Sequence, residues 1–295
     1  MFAVTKSRIS TAARLALWAA ACSICAAPAF AGPFFFSTGN PDGKIATASR
    51  PESPGIFEIE SADDFVLAQT TSITSATFTG LLTGGATTAD IGELRVEIYR
   101  VFPKDSTVPP SDRVPTRTNS PSDVEFADRD TAAGNRSFTT TDLGSFTALN
   151  SVQPGGIHPK PGQTTGGDGL VSGEEVLFNI TFTMPFDLAP DHYFFIPQVE
   201  ITDPAGNFLW LSAPRPIVPP GAPFPAGFTD LQSWTRDASL DPDWLRVGMD
   251  IVGGTPAPAF NAAFSLTGQE IPEPATLLLL ALGLGILWWG LKRKP

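Results

Sequence analysis

Between Gly32 and Glu270, wherever apolar side chains recur regularly, they recur at every second position. In ELRVEIYRVF, Leu94, Val96 and Ile98 point one way, and Arg95, Glu97 and Tyr99 the other. In EEVLFNITFTM, Val176, Phe178, Ile180, Phe182 and Met184 share a face opposite Asn179, Thr181 and Thr183. A period of two is what a strand with one buried face requires, because successive side chains leave opposite sides of the pleat. Further strand candidates are GIFEIES, TSITSATFTGLL, RSFTTTDL, SFTALNSV, HYFFIPQVEI, NFLWLSA, LRVGMDIVG and FNAAFSLTG, about ten strands in all. No stretch of this region shows sustained helical periodicity. The 27 glycines and 29 prolines concentrate between the runs, where they break ladders and set turns. The expected fold is all-β, an antiparallel β-sandwich of jelly-roll-like form, with 22 phenylalanines to fill its inner faces. No internal repeat or second-domain boundary interrupts it, so residues 32–270 are expected to form one β domain.

Three connections stand out. Residues 103–130 and 153–173 are long for a compact domain, and loops of that length are functional or disordered. The first has room for a short strand at Asp123–Phe126. The third, Ala213–Ala226, is rich in proline and is expected to lie extended across the surface as polyproline II.

Two apolar segments break the alternation. At the N-terminus Lys6, Arg8 and Arg14 precede an apolar run from Leu15 to Ala27, then Pro28 and Ala29-Phe30-Ala31. A charged region, an apolar helix of about a dozen residues and an A-x-A site predict a signal peptide over 1–31, cut between Ala31 and Gly32. At the other end, Ala275–Leu291 carries no charge, and Lys292, Arg293 and Lys294 follow at once. Seventeen residues span roughly 25 Å as a helix, just short of a hydrocarbon core of about 30 Å. Trp288 and Trp289 suit the headgroup interface, and the basic cluster stays cytoplasmic. A single C-terminal transmembrane helix is therefore expected within residues 271–295.

Charge and composition narrow the chemistry. The formal charge is −11, and six of the 19 basic residues lie in the two end segments, so the region between them is more acidic still. Such a surface repels nucleic acid phosphates, suits solubility outside the cell and attracts divalent cations. Both cysteines, Cys22 and Cys25, lie in the signal segment, so their spacing carries no redox or metal meaning. His158 sits in a Gly/Pro loop and His192 at a strand start, without metal-ligand spacing. No G-x-S-x-G elbow occurs, and TTGGDGLVSGEE lacks the ending of a phosphate loop. Asp241 and Asp243, flanking Pro242, are weak candidates for calcium, although this spacing is also common in turns. Trp210, Trp234 and Trp244 have the ring area to stack on sugars, but core packing is favoured: FLWLS reads as buried and DWLRVGMDIV places Trp244 at the start of a core strand.

Pro272-Glu273-Pro274, the apolar run with Gly283 and Gly285, and the terminal cluster Lys292-Arg293-Lys294 together resemble the PEP-CTERM sorting signal of proteins exported by Gram-negative bacteria. The resemblance implies an exosortase as partner, a membrane-embedded cysteine transpeptidase that cuts near Pro-Glu-Pro. It also implies signal peptidase and the general secretion machinery, an inner-membrane precursor, and release to the cell surface or its extracellular polysaccharide. The prolines keep the segment non-helical and reachable by a protease. In the body, ESADDFVL, VEIYRVFP and WLRVGMDIVGG are similar to stretches of exported PEP-CTERM proteins of no known activity. The expectation is an exported, non-catalytic surface or matrix protein that uses no cofactor. A carbohydrate-binding module, with Trp234 or Trp244 exposed on a groove, is the alternative, and a secreted hydrolase the third reading.

Overall fold

The alternation read in the sequence folds into two β-sheets. The computed structural model describes residues 31–157 and 162–271. The signal segment up to Phe30, His158 and the tail from Pro272 onward lie outside the described residues. Among the described residues no helix is long and apolar enough to cross a membrane, and the expected span at 275–291 is not one of them.

The strands are β1 (Pro33–Ser37), β2 (Ile45–Ala48), β3 (Ile59–Leu67), β4 (Thr71–Thr83), β5 (Ile91–Arg100), β6 (Ala127–Asp130), β7 (Arg136–Ala148) and β8 (Asn150–Val152). They continue as β9 (Val171–Leu188), β10 (Asp191–Ile201), β11 (Asn207–Ala213), β12 (Trp234–Asp237), β13 (Leu245–Arg246), β14 (Asn261–Ala262) and β15 (Phe264–Glu270). One sheet has nine strands, ordered β1-β15-β4-β11-β2-β8, with β9 on the other edge of β4, β7 beyond it and β14 beside β11. The other has six, ordered β13-β12-β3-β10-β5-β6. The β2–β8 pair is parallel. This is more strands than the eight of a jelly roll.

The aromatic residues make the main core. Phe65, Phe78, Phe178, Phe195, Phe208, Trp210 and Phe264 are buried in one cluster with Leu94, Val96 and Ile98 of β5. Phe78 stacks on Phe178 at 4.6 Å, and Phe195 on Phe264 at 5.0 Å. Each such side chain contributes about 1.5–3 kcal/mol by leaving water.

The six-stranded sheet is buried on its other face as well. Phe194 and Ile196 alternate with Phe195 on β10, and they pack with Ala62, Tyr99, Trp234 and Trp244 in a separate cluster. That is why HYFFIPQVEI reads as a nearly unbroken apolar run: both of its faces are covered. The cover includes the long connection after β5, which is ordered around Arg117. This side chain is 2% exposed. Its guanidinium donates to Pro121 O (2.9 Å), Asp123 (3.1 Å), Asp243 (3.2 Å) and Ser120 Oγ (2.9 Å), and it lies over the Phe102 ring. The short strand expected at Asp123–Phe126 does not form; the strand in this connection is β6, which begins at Ala127.

Three expectations need correction. LRVGMDIVG is a strand only at Leu245–Arg246, and Val247–Val252 coils into a π-helical turn closed by Gly253 N–H donating to Gly248 O. Asp250 stabilises this turn by accepting from the Arg246 backbone N–H (2.8 Å) and guanidinium (2.7 Å). Only glycine fits at 248, since a Cβ there would sit 2.0 Å from Pro258 O. Met184 is 60% exposed and does not share the face of Phe182. The cause is a bulge in β9 between Thr181, opposite Ser75, and Phe186, opposite Ile73. Finally β1, β2 and β12 carry no alternating pattern, since all of β2 and β12 is buried.

Candidate functional site

The residues singled out in the sequence for sugar or calcium binding serve the packing of the fold, Trp210 in the main core and Trp234, Trp244, Asp241 and Asp243 in the layer outside the six-stranded sheet. Trp210, Trp234 and Trp244 are at most 1% exposed, so none offers a ring face to a saccharide. Trp210 and Trp244 spend their indole N–H groups on Ala263 O (3.0 Å) and Ser122 O (3.1 Å). Asp241 and Asp243 do not converge on a common ligand. Asp241 pairs with Arg236 at 2.9 Å, while Asp243 is buried, pairs with Arg117 at 3.2 Å and accepts from Ser111. Both carboxylates are thus neutralised by arginines. Among the described residues, no group of three or more His, Cys, Asp or Glu side chains is arranged to hold a metal ion.

Register builds a different cluster beside them. On the outer face of the six-stranded sheet, Arg236 lies opposite Glu60, Gln198 opposite Arg95, and Glu97 opposite Ile196. Glu60, Arg95, Glu97 and Arg236, with Glu58 and Tyr99, line a cleft of about 310 Å³. Arg236 is the hub. It pairs with Glu60 and Asp241, donates to Tyr99 Oη (3.1 Å) and Asp123 O (3.2 Å), and stacks over Trp244 with its carbon 4.3 Å from the ring centre. Tyr99 in turn donates to Glu60 at 2.8 Å. Glu97 is 5% exposed and meets only Arg95, at 3.5 Å from one oxygen. Its other oxygen, Oε2, is buried without a partner. Burial first, then Glu60 and Glu58, push the Glu97 carboxyl well above the ordinary carboxylate range. The sequence assigned Arg95, Glu97 and Tyr99 to a solvated face. The available signal was the composition of that face, two charges and a tyrosine on a strand followed by a long connection.

His192 and the carboxylate pair Asp63-Asp64 come together in the fold. His192 Nε2 lies 2.5 Å from Asp64 Oδ2, which also accepts from Leu231 N. Asp63 leaves the opposite face of β3 and accepts from Ala262 N (2.8 Å) and Ser233 Oγ (3.2 Å). Burial holds both aspartates well above their usual range and pushes His192 down to about 4. This arrangement closes the layer between β3, β10 and the 230–233 segment.

The two ends of the domain meet on one sheet edge. β1 pairs with β15, Pro33 opposite Gln269, and Gly32 O accepts from Glu270 N at 2.8 Å. The Ile271 N–H donates to Thr70 O at 2.7 Å, one residue before Pro272. Gly32, expected to follow the signal cleavage, thus stands beside the residues that precede the tail. Ala29, Pro272, Glu273, Pro274, Lys292, Arg293 and Lys294 lie outside the described residues. Residues 270–294 match the PEP-CTERM protein-sorting motif. The chain carries a PEP-CTERM sorting signal. The motif marks exosortase-dependent sorting of an exported protein by way of a membrane-associated precursor. No curated protein and no solved structure matches the chain.

Within the body that precedes this sorting signal a second cavity, of about 330 Å³, opens between the 116–119 and 229–232 segments. Trp234, Gln232, Asn119 and Arg215 are among its lining. Trp234 Nε1 and Gln232 Oε1, a donor and an acceptor, are both buried here without partners.

Proposed function

We propose that this protein is a non-catalytic component of the cell surface or extracellular matrix of a Gram-negative bacterium. The N-terminal segment directs export and is removed at Ala31–Gly32. The tail holds the precursor in the inner membrane until exosortase cuts near Pro272-Glu273-Pro274. The observation that carries this reading is the sorting motif at 270–294, which begins on the last residue of β15. The fold supports it, because among the described residues the last strand ends at Glu270, and Ile271, whose N–H donates to Thr70 O, directly precedes Pro272. The non-catalytic part of the reading is supported by His192, which is spent on a buried carboxylate. Intact-mass measurement of the protein from its native host tests the proposal. The expected product starts at Gly32 and lacks about the last 20 residues. A product that retains Lys294 and Pro295 overturns processing in favour of a permanent anchor.

A carbohydrate-binding role remains the second reading, and one observation favours it. An unpartnered indole N–H and an unpartnered amide oxygen at one cavity complement a hydroxyl group, which accepts and donates. Recognition would then use the Trp234 edge, not its ring face. Titration with neutral oligosaccharides, followed by tryptophan fluorescence, tests it. An unchanged spectrum at saturating sugar rejects it.

A further inference from the structure

We propose that the cleft between β3, β5 and β12 binds an organic cation through an alkyl-ammonium group. This site is separate from the sorting tail, and the inference does not depend on how the tail is processed. Seven carboxylates and two arginines line the cleft, a large excess of negative charge in one concavity. Most of those carboxylates are accounted for. Arg236 is fully engaged by Glu60, Asp241, Tyr99 and the Asp123 carbonyl. Arg95 is shared among Glu58, Glu93 and Glu97 at 3.5–3.6 Å, so it neutralises none of them closely. Glu97 is left with one long contact and one oxygen without any partner, although it is 5% exposed.

A buried carboxylate oxygen without a donor is the least favourable state for that group. The network around it supplies no remaining cation. One brought in from solution supplies both the charge and the donor.

The chemistry of that cation follows from the geometry. No three acidic side chains among the described residues converge as ligands for a metal ion, which argues against a bare divalent ion. A cleft of about 310 Å³ instead has room for an organic molecule of several heavy atoms. A planar guanidinium needs two acceptors in its own plane, and Arg236 already takes that geometry on Glu60 and Asp241. A compact ammonium, with three donors on one atom, suits a single free oxygen on Glu97 with Glu58 at the rim. The acidic surface of the body draws such a cation toward the cleft. Two sources share this chemistry, a linear polyamine and an amino sugar.

Calorimetric titration of the full chain in about 150 mM NaCl, which screens distant surface charge, separates them. The probes are spermidine and glucosamine, with N-acetylglucosamine and calcium chloride as controls. The expected result is saturable one-to-one binding of at least one amine, weakened about tenfold or more in Glu97→Gln, the loss of one charge-assisted hydrogen bond. Binding of spermidine alone identifies a polyamine site, and binding of glucosamine alone an amino-sugar site. Asp142→Asn, on the exposed strand β7, is expected to bind as the parent does. If Glu97→Gln does not fold, Glu58→Gln at the cleft rim carries the same comparison. The proposal is overturned if neither amine saturates, if the Glu97 and Glu58 variants bind as tightly as the parent, or if N-acetylglucosamine or calcium matches the amines.

Discussion

The two faces of strand β5 differ in chemistry, although Glu97 and Tyr99 on one are nearly as buried as Val96 and Ile98 on the other. Leu94, Val96 and Ile98 look into the aromatic core between the sheets. Glu97 and Tyr99 look the other way, into a layer just as closed to water, at 5% and 2% exposure. The first face is held by dispersion and the hydrophobic effect, which are non-directional and tolerate changes of shape. The second is held by a chain of ion pairs and hydrogen bonds from Arg236 through Glu60 to Tyr99, and by Arg117 between Asp123 and Asp243. Such a layer is stable only when complete, since removing one partner strands a buried charge. A charged alternate position is therefore no sign of solvent when a long connection folds back over it.

The largest expected effects set the two faces against each other. Phe178→Ala is expected to cost about 3–5 kcal/mol, the loss of a fully buried ring and the cavity it leaves. Arg117→Ala is expected to cost a similar ~3–5 kcal/mol, because Asp123 and Asp243 lose their counterion. The faces separate in the rescue. Adding Asp123→Asn and Asp243→Asn to the Arg117 variant should restore much of the loss, whereas no polar change near Phe178 should help. Urea denaturation of the four proteins checks this. A triple variant no more stable than Arg117→Ala would show that Arg117 acts by filling space and not by charge.

A smaller effect distinguishes the layers by pH. Asp63, Asp64 and Glu97 sit above their ordinary carboxylate range, so the folded state binds protons that the unfolded chain releases. Their contribution is fully present below the ordinary carboxylate pKa and is lost as pH rises through the folded values. His192 has the opposite sign. Held down to about 4 from 6.5, it resists protonation and makes the fold weaker as pH falls through that window. Above it the raised carboxylates set the sign, so the melting temperature should fall as pH rises through their folded values. Asp63→Asn should flatten that slope, while Phe178→Leu should lower the whole curve without changing its slope. An unchanged slope in Asp63→Asn would remove this carboxyl from the explanation.

The sequence made the inner face legible because alternation records it directly. Leu94, Val96 and Ile98 were assigned correctly, and NFLWLSA coincides with β11. The burial of Trp210 and Trp244 was also readable from their sequence contexts. The outer layer was not, because β12 is buried at every position while carrying Thr235, Arg236 and Asp237. No periodicity survives when both faces are covered and the partners are charges from distant segments. Arg117 shows the same limit. It lies 126 residues from Asp243, in a stretch whose Pro and Ser content reads as loop. The sorting tail was the opposite case, a linear signal whose parts are neighbours in the chain, and it matched the motif.

The smallest expected effect marks where the inner face stops. Met184 continues the register of Val176, Phe178, Ile180 and Phe182, yet the bulge before Phe186 turns it outward. Its contribution comes from the backbone: its N–H donates to Asn135 O at 3.1 Å, and its carbonyl accepts from Arg129 at 2.5 Å. Those bonds survive any side-chain replacement that keeps extended geometry. Met184→Thr should therefore change stability by no more than about 0.5 kcal/mol, as an exposed substitution does. Phe182→Thr, two positions earlier on the same strand, should be markedly destabilising, because that ring packs edge-on against Phe186 at 4.8 Å. A cost above about 1 kcal/mol for Met184→Thr in urea denaturation, beyond the range of an exposed site, would mean that the aromatic core extends past the bulge and that alternation, not the bulge, sets its boundary.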